Sequence, residues 1–334
     1  GTVSIPDHQV GVVWPAGRSD GMVVSLNLAG DLNYLVEGSQ NPTKVVQGHN
    51  RSITALGSSG EGKDQTFWTG SFDGRVCSWD SGSGIASAVE GQTHSNQVTA
   101  FQTTPTRAYS VGWDDTLRIA DTSSNTFLGQ TEKLTAQPKG LASAAGRVFA
   151  ATVSGIDIFA DDALVGGLPT KDFTPTSIAA SKSFVAVGDD TNVVHVYAVD
   201  GSNKLSPKEK LTVSTAQITA LAFSPDGSYL AAGNSSGKII VYDTSSWDVK
   251  TDRWSAHTAR VTCISWNTQG THAVSGGLDT NVFVWSLAGP GKRVKAANAH
   301  KDGVNGVCWA DGGKKIASTG VDAALKIWDV SGLE

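Results

Sequence analysis

The chain has 334 residues, a formal net charge of -5, 38 glycines and one methionine, with 17% charged and 39% hydrophobic residues. At this size burial is not limiting, since a chain of about 300 residues removes about three-quarters of its unfolded surface from water. The mild acidity argues against a nucleic-acid surface, and no apolar run reaches the roughly 18–20 residues that span a bilayer.

Taken in chain order, three short strands are expected first, at Val10 to Trp14, Met22 to Leu28 and Leu32 to Leu35. A repeating unit then begins. Gly48-His49 leads to Ile53 to Leu56, then Phe67-Trp68-Thr69-Gly70-Ser71-Phe72-Asp73 and Val76-Cys77-Ser78-Trp79-Asp80. Its clearest copies run from Ala256-His257 through Trp266 and Ser275-Gly276-Gly277-Leu278-Asp279 to Trp285, and from Ala299-His300 to Trp328-Asp329. Equivalent strand ends fall at Trp79, Ala120, Phe159, Tyr197, Tyr242, Trp285 and Trp328, in steps of 41, 39, 38, 45, 43 and 43 residues. Alternating apolar positions such as Val282, Val284 and Leu325, Ile327 indicate strands, and Asp73-Gly74 and Pro225-Asp226-Gly227 supply turns between them. No segment carries helical periodicity.

A period near 40–45 residues with His, Asp and Trp-Asp at fixed stations resembles the WD repeat, four strands to a blade. The expected fold is therefore an all-β propeller. Eight units can be counted, so an eight-bladed ring and a seven-bladed ring over residues 43–334, with 1–42 an appended strand set, both remain open on the repeats alone. Ring closure requires a fourth strand for the last blade, from Val3 to Ile5 in an eight-bladed ring or from Lys44 to Gln47 in a seven-bladed one.

The recurring polar residues read as architecture. Each His occupies the same station of a different blade, so the imidazoles are held apart around a ring and cannot meet at one ion, and no metal or cofactor is expected. The expected alternative is a hydrogen-bond relay inside each blade. Its three clear sets are His49, Thr69, Asp73, Trp79; His257, Ser275, Asp279, Trp285; and His300, Ser318, Asp322, Trp328. Recurrence also argues against a catalytic triad, which is unique and needs its own oxyanion site. Neither G-x-S-x-G nor a Walker loop is present. Asp189-Asp190 and Asp161-Asp162 read as solvated loop residues, and Cys263 and Cys308 as core fillers. No enzyme is expected.

Surface recognition remains. The residue before the repeated Asp is Phe72, Trp113, Leu278 and Val321 in four units, apolar where a turn is normally polar, and Arg51, Arg260 and Lys301 follow the repeated His. Apolar anchors among Arg and Lys match the centres of protein interfaces. The alternative is that Phe72 and Trp113 plug the central channel or pack on neighbouring blades. A second basic cluster, Lys292-Arg293-Lys295, reads as a solvated loop.

Several non-consensus words go further. Asp7-His8-Gln9-Val10-Gly11-Val12-Val13-Trp14 followed by Gly30-Asp31-Leu32-Asn33-Tyr34-Leu35 resembles the segment joining the two halves of the actin-interacting protein 1 family. So do Gln92-Thr93-His94-Ser95-Asn96-Gln97-Val98 with Asp114-Asp115-Thr116-Leu117-Arg118, and the run from Ser275 through Arg293-Val294-Lys295 to His300. The style resembles fungal members. The resemblance implies a cytosolic regulator associated with the actin cytoskeleton, with the actin filament and cofilin as partners and neither nucleic acid nor membrane among them. It also implies two seven-bladed propellers, of which this chain carries the second and the last strand set of the first, so seven blades of four antiparallel strands are preferred to eight. Oligomeric state is left open, and no binding residue of the family is carried over, because its actin and cofilin contacts lie largely on the first propeller.

Overall fold

The computed structural model describes residues 5, 7–200 and 203–332. Among them the regular structure is strand, with two single 3-10 turns at Gly62–Asp64 and Asp311–Gly313. An N-terminal sheet is built from Gln9–Val13, Val23–Asn27, Leu32–Leu35 and Lys44–Val46. Seven blades follow, each an antiparallel meander.

Blade 1 comprises Ile53–Ser59, Thr66–Ser71, Val76–Asp80 and Ala86–Ala88; blade 2, Val98–Thr103, Arg107–Gly112, Thr116–Asp121 and Thr126–Lys133. Blade 3 comprises Pro138–Ala144, Arg147–Thr152, Gly155–Ala160 and Ala163–Pro169; blade 4, Pro175–Ala180, Phe184–Asp189, Val194–Val199 and Leu205–Leu211. Blade 5 comprises Ile218–Phe223, Tyr229–Asn234, Lys238–Asp243 and Val249–Ser255; blade 6, Val261–Trp266, His272–Gly277, Val282–Ser286 and Arg293–Ala296. Blade 7 has three strands, Val304–Ala310, Lys315–Gly320 and Leu325–Asp329. The seven strand-end residues all share one register, with Phe67 opposite Trp79, Ala108 opposite Ala120 and so on to Ile316 opposite Trp328.

The ring is closed by packing. Sheets must bury an apolar face against a neighbour, and here seven apolar clusters each bridge one adjacent pair of blades. Blades 7 and 1 meet through Phe67, Ala310 and Ala317, flanked by Leu56, Trp79 and Leu325. Polar contacts reinforce this seam. Asn305 Nδ2 donates to the Ile53 carbonyl at 2.7 Å, and Gln65 Nε2 donates to the Trp309 carbonyl at 3.0 Å. The Asn305 bond continues a series about the channel, in which Thr54, Thr176, Thr219 and Thr262 each donate to the first strand of the next blade at 2.5–2.6 Å. The propeller is seven-bladed.

One expectation is corrected. Lys44–Val46 does not complete blade 7; it pairs with Leu32–Tyr34, with Leu32 opposite Val46 and Tyr34 opposite Lys44. The short connection from Leu35 makes that local pairing cheap, whereas blade 7 lies at the far end of the chain. Of the other candidate closing segment, Val3 to Ile5, Val3 and Ser4 lie outside the described residues and Ile5 is not in a strand. The outer edge of Leu325–Asp329 is thus unpaired among them, and Ile327 is 45% exposed.

The N-terminal sheet stands outside the ring and touches blade 1. Arg75 donates to the Ala29 carbonyl at 2.7 Å and pairs with Asp31 at 2.5 Å, both side chains largely shielded from water. Its first strand is exposed along its whole length, leaving Val10, Val12, Val13 and Trp14 uncovered.

Candidate protein-binding face

The connection between the second and third strands of every blade is a tight turn, and the residue at its apex is set by one repeated hydrogen bond. Its N–H donates to the carbonyl of the segment entering the same blade: Phe72 to Ser52, Trp113 to Gln97, Val153 to Gln137, Asp190 to Thr174, Ser235 to Gln217, Leu278 to Arg260 and Val321 to Gly303, at 2.8–3.2 Å. Seven equivalent bonds place seven side chains at one level on one face of the ring. Phe72, Trp113, Leu278 and Val321 are there, all exposed. Val153 is a fifth apolar member, missed because its turn Thr152-Val153-Ser154-Gly155 has no Asp to align on. In ring order blades 6, 7, 1, 2 and 3 carry apolar apices, while blades 4 and 5 carry Asp190 and Ser235. The apolar positions form one arc. Leu278 and Val321 both approach Gly303, so their neighbouring blades present adjacent surfaces. Arg51, Arg260 and Lys301 are exposed on the same entering segments.

Beneath these turns lie the histidines. His257 Nδ1 lies 2.9 Å from Asp279, its Nε2 lies 2.8 Å from Ser275 Oγ, and Trp285 Nε1 donates to that hydroxyl at 2.8 Å. In blade 7 the same distances are 2.7 Å for His300 to Asp322 and 2.8 Å for both His300 and Trp328 to Ser318. Blade 2 has the His94, Asp114 and Ser110 members, with Ala120 in place of the indole. Burial holds the His257 imidazole below its ordinary range despite Asp279, and the His257 and Thr258 contacts hold the Asp279 carboxyl low. A carboxylate at Nδ1 fixes the tautomer with its proton there, so Nε2 accepts from serine and serine accepts from tryptophan.

Blade 1 departs from this arrangement. His49 Nε2 lies 2.7 Å from Thr69 Oγ1 and Trp79 donates to the same hydroxyl at 2.7 Å, but Asp73 does not reach His49. It accepts instead from Ser71 and from the Arg75 amide. The cause is one side chain. Blades 2, 6 and 7 have Gly112, Gly277 and Gly320 where blade 1 has Ser71, and a Cβ at those glycines would stand 2.5–2.7 Å from the imidazole. Ser71 therefore displaces His49, whose Nδ1 is buried without a partner, and burial beside Arg75 pushes its pKa down to about 4.

Blade 4 carries a further His–Asp pair, whose Asp189 the sequence reading placed in solvent. Asp189 is 1% exposed, lies 2.8 Å from His195 Nε2 and accepts from Thr191 and Val193. Phe173 stacks on that imidazole at 3.7 Å. With no His entering blade 4, the imidazole has moved to the third strand, where the adjacent turn carboxylate meets it. Asp162 accepts from Tyr109 at 2.7 Å. Burial raises the Cys263 and Cys308 thiols to about 11 and about 12, so both stay protonated in the inner strands. Among the described residues, no three His, Cys, Asp or Glu side chains converge on one point, and no helix is long and apolar enough to cross a membrane.

Comparison with known proteins gives the following. Residues 171–298 match the Vps8 beta-propeller family, and residues 291–329 match the WD domain, G-beta repeat. An uncharacterized WD repeat-containing protein of Schizosaccharomyces pombe is 36% identical over 252 residues, 74% of this chain and 41% of that protein. Actin-interacting protein 1 of Drosophila melanogaster is 33% identical over 260 residues, 76% of this chain and 41% of that protein. WD repeat-containing protein 1-B of Xenopus laevis is 29% identical over 245 residues, 72% of this chain and 40% of that protein. The chain thus spans about two-fifths of the length of the relatives it matches.

Proposed function

Because the chain belongs to the WD-repeat family, we propose that it is a non-catalytic protein-interaction module of an actin-filament disassembly factor that works with cofilin. The observation that carries this is the arc of Leu278, Val321, Phe72, Trp113 and Val153 on one rigid face, with Arg51, Arg260 and Lys301 beside it. Exposed apolar side chains fixed by the backbone cost little ordering entropy on binding, which suits them to be interface anchors. The names of the similar proteins in fly and nematode, both actin-interacting protein 1, point the face toward actin, and the family resemblance adds cofilin. The site of action proposed is the cytoplasmic actin cytoskeleton.

The test is cosedimentation with cofilin-decorated filaments. The intact chain is expected to pellet with them, and replacing Phe72 and Trp113 with Ala to weaken binding by about 1 kcal/mol or more, roughly fivefold. A chain that never pellets, or a folded double variant with undiminished binding, overturns the assignment.

A second reading concerns residues 9–46. Their sheet leaves Val10, Val12, Val13, Trp14, Leu26 and Leu28 exposed, between 38% and 75% each, while its polar Ser25, Asn27 and Asn33 are buried. That is the inverse of a solvated sheet, and apolar patches of this kind mark interaction sites. We read it as the last strand set of a first propeller carried by the rest of a longer polypeptide, which this half also orients. A longer chain in which Trp14 stays as accessible to quenchers as in residues 1–334 alone would contradict this.

A further inference from the structure

A cationic groove lies on the outer rim between blades 5 and 6. It has a volume of about 740 Å³ and is floored by Phe283, with Ser255 and Gly291 on its sides. Lys292, Arg293 and Lys295 line it, and the Arg253 guanidinium comes within 3.2 Å of where a side chain on Gly291 would begin. Lys295 Nζ sits 5.8 Å from the Phe283 ring centroid. All four cations are exposed. Among the described residues none of them closes an ion pair, and Asp252, next to Arg253 in sequence, is paired with Lys238 at 2.9 Å. Four unneutralised cations around one groove, in a chain of net charge -5, form a local field opposite in sign to the molecule that carries it.

We propose that this groove docks an extended acidic segment of a partner protein. Arg293–Ala296 is the edge strand of blade 6, so its outward backbone groups are unpaired in the sheet order. An added strand presents alternate side chains to one side, the spacing on which Arg293 and Lys295 stand, while Val294, 47% exposed, lies on the other. Charged edges also discourage unwanted strand pairing. That role accounts for Arg293 and Lys295, and for Arg253 on the edge strand of blade 5, but not for their convergence with the loop residue Lys292 on one groove. A membrane or a nucleic acid fits less well, since either presents a broad anionic surface to a molecule that is acidic outside this patch.

The test uses the whole chain and a fluorescent decapeptide alternating glutamate and valine, followed by polarization. Binding is expected at low salt, falling ~10-fold between about 0.03 and 0.3 M salt as the Debye length shortens. The variant R253Q/K292Q/R293Q/K295Q is expected to lose it at least ~10-fold, and K208Q/K210Q on blade 4 to retain it. On the wild type, hydrogen exchange is expected to slow within 282–296 when peptide is added, a readout independent of whether any variant folds. Equal binding by wild type and the quadruple variant, equal binding of a lysine-valine peptide, no exchange protection in 282–296, or binding confined to phosphatidylserine vesicles would each overturn the proposal. Phe72→Ala leaves this binding unchanged, which separates it from the filament-binding face.

Discussion

The relay of blade 6 permits a quantitative test. Ser275 Oγ stands between Trp285 Nε1 and His257 Nε2, each 2.8 Å away, and all three side chains are buried. Ser275→Ala removes one oxygen and opens almost no cavity, so its cost is electrostatic. It leaves an indole donor and an imidazole acceptor without partners, and each such buried group costs about 1–3 kcal/mol, giving about 2–6 kcal/mol in total. Trp285→Phe in the Ser275→Ala background removes the orphaned indole, so the pair is expected to be non-additive by about 1–3 kcal/mol. The effect is measured as a shift in the urea midpoint at constant slope, with hydrogen exchange locating the loss in blade 6. A Ser275→Ala chain within about 0.5 kcal/mol of wild type, or strict additivity with Trp285→Phe, would refute the relay as a stabilising element.

Two further outcomes follow from single residues. His49 is held near pKa 4 in the fold against 6.5 ordinarily, so from about pH 6.5 down to about 4 the unfolded chain takes up a proton that the native chain refuses. Stability should fall with acidification across that window by up to about 3 kcal/mol, and His49→Gln should flatten the profile measured by urea titration at each pH; an identical slope would exclude His49 as its source. Arg75→Met breaks the shielded pair with Asp31 and leaves that carboxylate uncompensated, at a cost of about 3 kcal/mol. Proteolysis should then release residues 9–46 while the ring keeps its urea midpoint, and unchanged protection would show that other contacts hold the sheet.

The propeller was legible in the chain itself because each blade solves the same local problem. A recurring period, alternating apolar strands and a turn Asp are properties of adjacent residues, so Trp79, Trp285 and Trp328 could be aligned without coordinates, and so could the exposed apices Phe72, Trp113, Leu278 and Val321 that ride on those turns. Ring closure was not local. Lys44–Val46 has strand character either way, and only the competition between a nearby partner and a distant one assigns it to Leu32–Tyr34. The same holds for His49, which stands at the same station of its repeat as His257 yet whose geometry is changed by the Cβ of Ser71 pressing on a ring more than twenty residues away. Asp189 passed for a solvated acid because nothing in its own turn announces His195 beneath it. Periodicity is written along the chain, whereas steric exclusion and charge pairing depend on which atoms meet across it, and that was decided by the tertiary structure.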